Sequence, residues 1–142
     1  GAALSNLRMI DLPRARQLAT AALSGAPDRA FRQRSVLTEA DVQVLGLLRG
    51  DVDADAERLA MIATRPLADG PGLHETLEAF VSTGSATAAA SALGLHPQTI
   101  RYRIRTITQL TGRDLRDPWD RFVLEVAAVN HPVKGAVRSV SR

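Results

Sequence analysis

Gln98, Thr99, Arg101, Tyr102 and Arg105 are the residues whose types and spacing could do chemistry, and that chemistry is recognition rather than bond making. Arginine and glutamine each offer paired hydrogen bonds to the edge of guanine or adenine. Tyrosine and threonine reach phosphate oxygens or a thymine methyl group. Stepping about 100° per residue puts Gln98, Tyr102, Arg105 and Gln109 on one side of a helix, with Arg101 and Thr99 on its flanks. Ile100, Ile104, Ile107 and Thr111, flanked by Leu110, fall on the other side and are expected to be buried. His96 and Gln98 begin the outward surface beside the positive end of the helix dipole, where a phosphate is well placed. Arg103 falls nearer the buried edge, as a structural ion-pair or phosphate-anchoring residue. Ser85 and Thr87, ahead of it, join the expected phosphate anchors.

Arginine and glutamine on one helix face describe many solvated surfaces, so the elements around that face carry the argument. Residues 85–112, SATAAASALGLHPQTIRYRIRTITQLTG, spell two helices and a turn. Gly94 stands where the first helix must end in a left-handed conformation, which glycine adopts without a Cβ penalty. Ala86 to Ala92 is nearly all Ala, Ser and Thr, a thin surface on which a second helix can cross closely, with Ala90 best placed for the contact. Leu95 falls in the turn, and Ile100 and Ile104 give the second helix an apolar seam against the first. Pro97 sits near the helix start, where its missing N–H costs nothing. Together these features read as a helix-turn-helix.

These residues carry a family resemblance. From Leu73 to about Asn130 the chain resembles the C-terminal helix-turn-helix domain of PucR-type, CdaR-like bacterial transcriptional regulators, which are similar to the Fis-type DNA-binding module. The resemblance rests on LHETLEAFVSTGS, on HPQTIRYRIRTITQLTG and on RDLRDPWDRFVLEVA, in the family's order. The sequence departs at Gln98, where the family usually has Asn, and at Pro97, where it often has a polar or basic residue. Both lie at the start of the reading helix. The resemblance implies a mainly α fold, a Fis-like helix-turn-helix bundle, that binds duplex DNA as a homodimer in the cytoplasm. Contacts between these helices and a partner protein are the competing use of the same surface.

The organisation divides at DGPG, Asp69 to Gly72. Residues 1–69 are expected to form a helical segment with room for a short strand, 70–72 a linker, 73–131 the helix-turn-helix domain and 132–142 a basic flexible tail. Before the linker, Leu12-Pro13 opens a helix to about Ser24, with Leu18, Ala22 and Leu23 on one side and Gly25 closing it. Arg34 to Leu37 suits a short strand. Thr38 caps the next helix with Asp41 at its third position, and Val42, Val44, Leu45 and Leu48 form its apolar face. A third helix spans about Ala54 to Thr64, with Leu59, Met61 and Ile62 inward, and stops at Arg65-Pro66. This half resembles the tail of the degenerate GGDEF-like domain that precedes the helix-turn-helix in the same regulators. No GGDEF-type sequence occurs in it, so nucleotide cyclisation is not implied. Further on, Asp117 caps a helix opened by Pro118, with Trp119, Phe122, Val126 and Val129 as its buried stripe, Leu124 facing elsewhere and His131-Pro132 at its end.

Other chemistry fails on spacing. Asp51, Asp53 and Asp55 match the first positions of a calcium loop, but Ala56 and Ile62 stand where that loop needs Gly and Glu. They read instead as a charged helix start. His74, His96 and His131 are far apart in the chain, so no metal is expected, and His74 reads as a surface residue at a helix start. No nucleophile and base pair can be named, so neither catalysis nor a cofactor is expected. The chain has 142 residues, no cysteine and a net charge of +3. Residues 1–72 hold 9 Arg against 9 acids and residues 73–142 hold 9 Lys or Arg against 6, so the excess lies on the helix-turn-helix side. No apolar run is long enough to cross a membrane. The chain starts at Gly1 rather than Met, and the family's regulators carry more sequence ahead of this point. It therefore reads as an excerpt whose effector, if any, binds a region outside it.

Overall fold

The structure, a computed structural model, describes residues 2–3, 12–31 and 36–131. The architecture is mainly α, as expected, with seven α-helices among the described residues. They are α1 (Leu12–Gly25), α2 (Glu39–Arg49), α3 (Ala56–Thr64), α4 (Leu73–Thr83), α5 (Ala86–Leu93), α6 (Pro97–Thr111) and α7 (Pro118–Val129). Two-residue strands β1 (Ala2–Ala3) and β2 (Val36–Leu37) pair in parallel. Strand β2 is the part of the expected 34–37 strand that lies within the described residues. The expected tail, residues 132–142, lies outside them.

Helix starts follow capping chemistry. Before α2, Asp41 accepts the Thr38 backbone N–H at 2.8 Å, the reciprocal bond of a capping box. Before α3, the Asp55 carboxylate accepts the Glu57 and Arg58 amides. Of the three clustered aspartates only Asp55 caps this helix, which begins two residues later than Ala54. Asp51 instead accepts the Asp53 amide in the preceding turn. Asp117 caps α7 through the Trp119 and Asp120 amides.

One apolar cluster joins residues from Leu18 to Ala128 and crosses the DGPG segment without a break. Leu18 and Ala22 of α1 and Val42, Val44 and Leu45 of α2 contribute to it. Leu59 of α3 and Trp119, Val123, Leu124 and Ala127 of α7 complete its centre. Helix α3 packs against α7, and α4 against α5, α6 and α7.

Four expected faces are corrected. In α7 the buried side is turned by roughly one residue: Leu124 is fully buried and Val129 is 78% exposed. The aromatic pair Trp119 and Phe122 suggested an edge, whereas Val123, Leu124, Ala127 and Ala128 are buried beside Trp119 and Phe122 is only partly covered. Leu48, in the last turn of α2, and Met61, between the buried Ala60 and Ala63 on the outward side of α3, are both exposed. Leu110, at the flank of α6, is also exposed. The histidine reading is corrected as well. The His74 and His131 rings stack with centroids 4.0 Å apart, because α4 starts beside the end of α7, and His74 is largely covered. Its Nδ1 lies 3.5 Å from the Glu78 carboxylate one turn on. Burial first, then the neighbouring His131, pushes the His74 pKa down, against the pull of Glu78.

Candidate nucleic-acid interface

The helix pair α5–α6 is built from a satellite cluster in which Ala79, Ala89, Ala90 and Ile100 are all buried. Alanine at 89 and 90 lets α6 approach α5 closely enough to enclose Ile100 completely. Burying an isoleucine contributes about 1.5–3 kcal/mol, and Ile100 and Ile107 do so on the same side of α6. Ile104, between them, is partly covered and touches both clusters. The expected seam is therefore present.

The turn is set by Gly94, whose φ of 64° and ψ of 32° are left-handed. Its placement lets the Leu95 amide reach back to the Ala90 carbonyl at 2.9 Å, closing α5 and turning the chain toward α6. Ser85 caps α5 by accepting the Ala88 amide at 3.1 Å, while Thr87 stands exposed on its first turn. His96 caps α6: its Nδ1 accepts the Gln98 amide at 3.1 Å, so that nitrogen carries no proton in this arrangement. A histidine cap was not legible in the sequence, because histidine is not among the preferred capping residues.

Gln98, Thr99, Arg101, Tyr102, Arg105 and Gln109 are all exposed, as is His96. The periodicity therefore oriented α6 correctly. Among the described residues, Arg101 and Arg105 have no acid within ion-pair distance. Arg103 differs from both. Its Nη1 donates at 3.4 Å to the Gly72 carbonyl and to the Thr76 hydroxyl, tying α6 to the first turn of α4. Gly72 has a φ of 70°, and an added Cβ there would come within 2.4 Å of the Arg103 guanidinium. The left-handed backbone favours glycine there, and a larger residue would push the Arg103 guanidinium off its contacts with α4.

The C-terminal end of α6 is held more firmly. Arg113, directly after Gly112, is 5% exposed at its side chain, with Asp41 and Asp120 at 0% and 2%. Its Nη1 donates to Asp41 at 2.9 Å and to Asp120 at 3.0 Å, and Nη2 donates to the Thr38 hydroxyl at 2.7 Å. The Trp119 indole N–H donates to the same Asp41 oxygen at 2.8 Å, and Asp120 also accepts the Asp114 amide. Burial pushes the Asp41 carboxyl up. The Arg113 charge and its hydrogen bond, with those of Thr38, outweigh it and hold the carboxyl below its ordinary value of 3.8. One guanidinium thus fastens the reading helix to the start of α2 and to α7. Sequence reasoning missed this hub. Its local signal was Asp120 seven residues on, whereas Asp41 is 72 residues away.

Among the described residues no group of three or more His, Asp or Glu side chains could hold a metal, and no helix is long and apolar enough to cross a membrane.

Comparison with known proteins matches this geometry. The chain is 43% identical over 120 residues to Uncharacterized protein Rv2242 of Mycobacterium tuberculosis, a stretch covering 80% of this chain and 27% of that protein. Uncharacterized protein Mb2266 of Mycobacterium bovis is similar to the same extent. This chain therefore spans about a quarter of the length of these relatives. Among solved structures, a regulator of polyketide synthase expression from Bifidobacterium adolescentis is similar at a TM-score of 0.64 and 25% identity, over 87% of this chain and 48% of that one. Residues 73–129, which hold α4 to α7, match the family described as the PucR C-terminal helix-turn-helix domain.

Proposed function

We propose that this protein binds duplex DNA sequence-specifically, with α6 in the major groove, as part of a PucR-type transcriptional regulator. The observation that carries the reading is the outward face of α6, where Gln98, Arg101, Tyr102 and Arg105 stand exposed on a helix fixed at both ends. In this reading Arg101 and Arg105 pair with base edges, Gln98 reads a base at the helix start, and Thr99 and Tyr102 contact phosphate or a thymine methyl group. His96, Ser85 and Thr87 lie along the adjoining backbone. Arg103 acts mainly by holding α6 on α4. Binding is by a homodimer in the cytoplasm, each α6 reading one half-site, because a single helix contacts only a few base pairs. Residues 1–69 serve as the tail of a regulatory domain that buttresses residues 73–131.

The test is selection from randomised duplexes followed by anisotropy titration of the recovered sequence at several salt concentrations. A two-fold symmetric motif and an affinity that falls steeply with salt are expected. Recovery of no preferred sequence would overturn the specific reading. A partner contact through the same helices would show little salt dependence.

A further inference from the structure

Beside α6 lies a groove of about 640 Å³ that the outward residues Gln98, Arg101, Arg105 and Gln109 share with residues outside the helix pair. Arg101 and Arg105 form one wall, and Asp114, Leu115 and Arg116 of the loop before α7 form the other. Ala86, at the first turn of α5, and Phe80, on α4, also line it. Arg116 is 89% exposed at its side chain, yet its direction is fixed. Nε and Nη2 donate to the two Asp114 carboxylate oxygens at 3.1 and 2.9 Å, and its own amide donates to Asp114 at 2.9 Å. The Asp114 carboxyl is held below its ordinary value, first by the Arg116 side-chain hydrogen bonds and then by that amide. Nη1 has no hydrogen-bond partner among the described residues and is directed away from the doubly bonded edge.

A second arginine lies against Phe80, one of the lining residues. The Arg121 guanidinium lies over the Phe80 ring, 5.3 Å from its centroid. Its Nη2 is 3.6 Å from where a Cβ on Gly84 would stand, beside the Ser85 cap of α5. Arg101, Arg105 and Arg116 thus line one groove, with Asp114 as the acid among its lining residues, and Arg121 adjoins it through Phe80.

We infer that Arg116 and Arg121 form a phosphate rim that grips the DNA strand flanking the base-reading face of α6. The inference rests on the DNA-binding reading above and adds two residues from outside the helix pair. A phosphodiester is the chemistry that fits two guanidinium groups oriented at the margin of the reading face, Arg116 by Asp114 and Arg121 by Phe80. Asp114 orients Arg116 rather than cancelling it, because a bidentate guanidinium–carboxylate pair leaves one outward nitrogen to donate.

Phosphate contacts are indifferent to sequence, so a random-sequence duplex is a sufficient probe. Parent, Arg116→Gln, Arg121→Gln and, as a control on α1, Arg14→Gln are titrated with it over a range of KCl concentrations. A lost phosphate contact lowers the slope of log K against log salt by about 0.9. Arg116→Gln and Arg121→Gln are each expected to show that decrease, with weaker binding at low salt and the parent's thermal melt. Arg14→Gln should match the parent throughout. Parent slopes in both rim variants would overturn the rim while leaving the DNA reading standing. No binding by the parent at any salt concentration would overturn the DNA reading and the rim with it. Arg116 is the deciding residue if Arg121→Gln loses its melt through the contact with Phe80.

Discussion

Arg105 and Arg113 are eight positions apart in one chain, one on the surface of α6 and the other just beyond its end, and the structure uses them in opposite ways. Arg105 is exposed with no acid in reach among the described residues, so its charge is available to an external anion. Arg113 is buried and spends its hydrogen bonds on Asp41, Asp120 and Thr38. The difference teaches that a basic residue near a recognition helix is open to an external anion where the fold leaves its guanidinium exposed, and is structural where its donors are buried on acids. Arg103 sits between the two, half-buried and donating to α4.

The comparison breaks most visibly at Arg113. Arg113→Ala leaves two buried carboxylates without their cation, and removal of one partner from such a group costs about 3–5 kcal/mol. Chemical denaturation should show a large fall in stability, with the reading helix failing along with α2 and α7. A fall of well under 1 kcal/mol would mean that Arg113 is a surface residue like Arg105.

Acid gives a graded form of the same test. Because the folded Asp41 carboxyl is held below its ordinary value of 3.8, its contribution to stability is present above that value. It is lost as pH falls through the lowered folded value. The parent should lose stability in that acid window, and Arg113→Ala, lacking the cause of the depression, should lose less over the same range. Equal slopes from the two would remove the charge coupling.

On the outer face the effect moves from folding to binding. Arg101→Ala and Arg105→Ala should each weaken binding to the selected DNA by about 1–3 kcal/mol and relax preference at one position. Their melting temperatures should stay at the parent's, since neither side chain is buried. A melt shifted as far as that of Arg113→Ala would show that the outer face is also structural.

Gly94→Val probes the turn alone. An added Cβ at Gly94 meets nothing within 4 Å, so any loss is backbone strain at a φ of 64°, about 1–3 kcal/mol, rather than a clash. An unchanged thermal melt would mean that the turn tolerates another conformation. The smallest effect belongs to Gln98→Asn, which keeps the amide and shortens it by one methylene. Base preference should move while overall affinity changes by less than about tenfold, or 1.4 kcal/mol. Parallel selections that return the same motif would show that Gln98 does not face the bases.

Helix α6 was legible nearly in full, since its outward and inward sets separate at a period of 3.6 and Gly94 punctuates its start. Helix α7 was legible in its ends and not in its faces. Asp117 and Pro118 marked its first turn, but its aromatic residues drew the buried stripe about one residue away from the side that is buried. The ends depend on neighbours in sequence, and the faces depend on which helix arrives from elsewhere.

The same division holds for the whole molecule. The sequence by itself determined the helices, the caps at Thr38 and Asp117, the left-handed turn at Gly94 and the outward polar residues of α6, because hydrogen bonding and side-chain period act over three or four positions. Only the tertiary structure decided that Arg113 is a hub joining Asp41 and Asp120, that His74 meets His131, and that Arg116 borders a groove with Arg101 and Arg105. Those outcomes depend on desolvation and charge pairing between segments up to 78 residues apart, as for Trp119 and Asp41, and no local spacing encodes them.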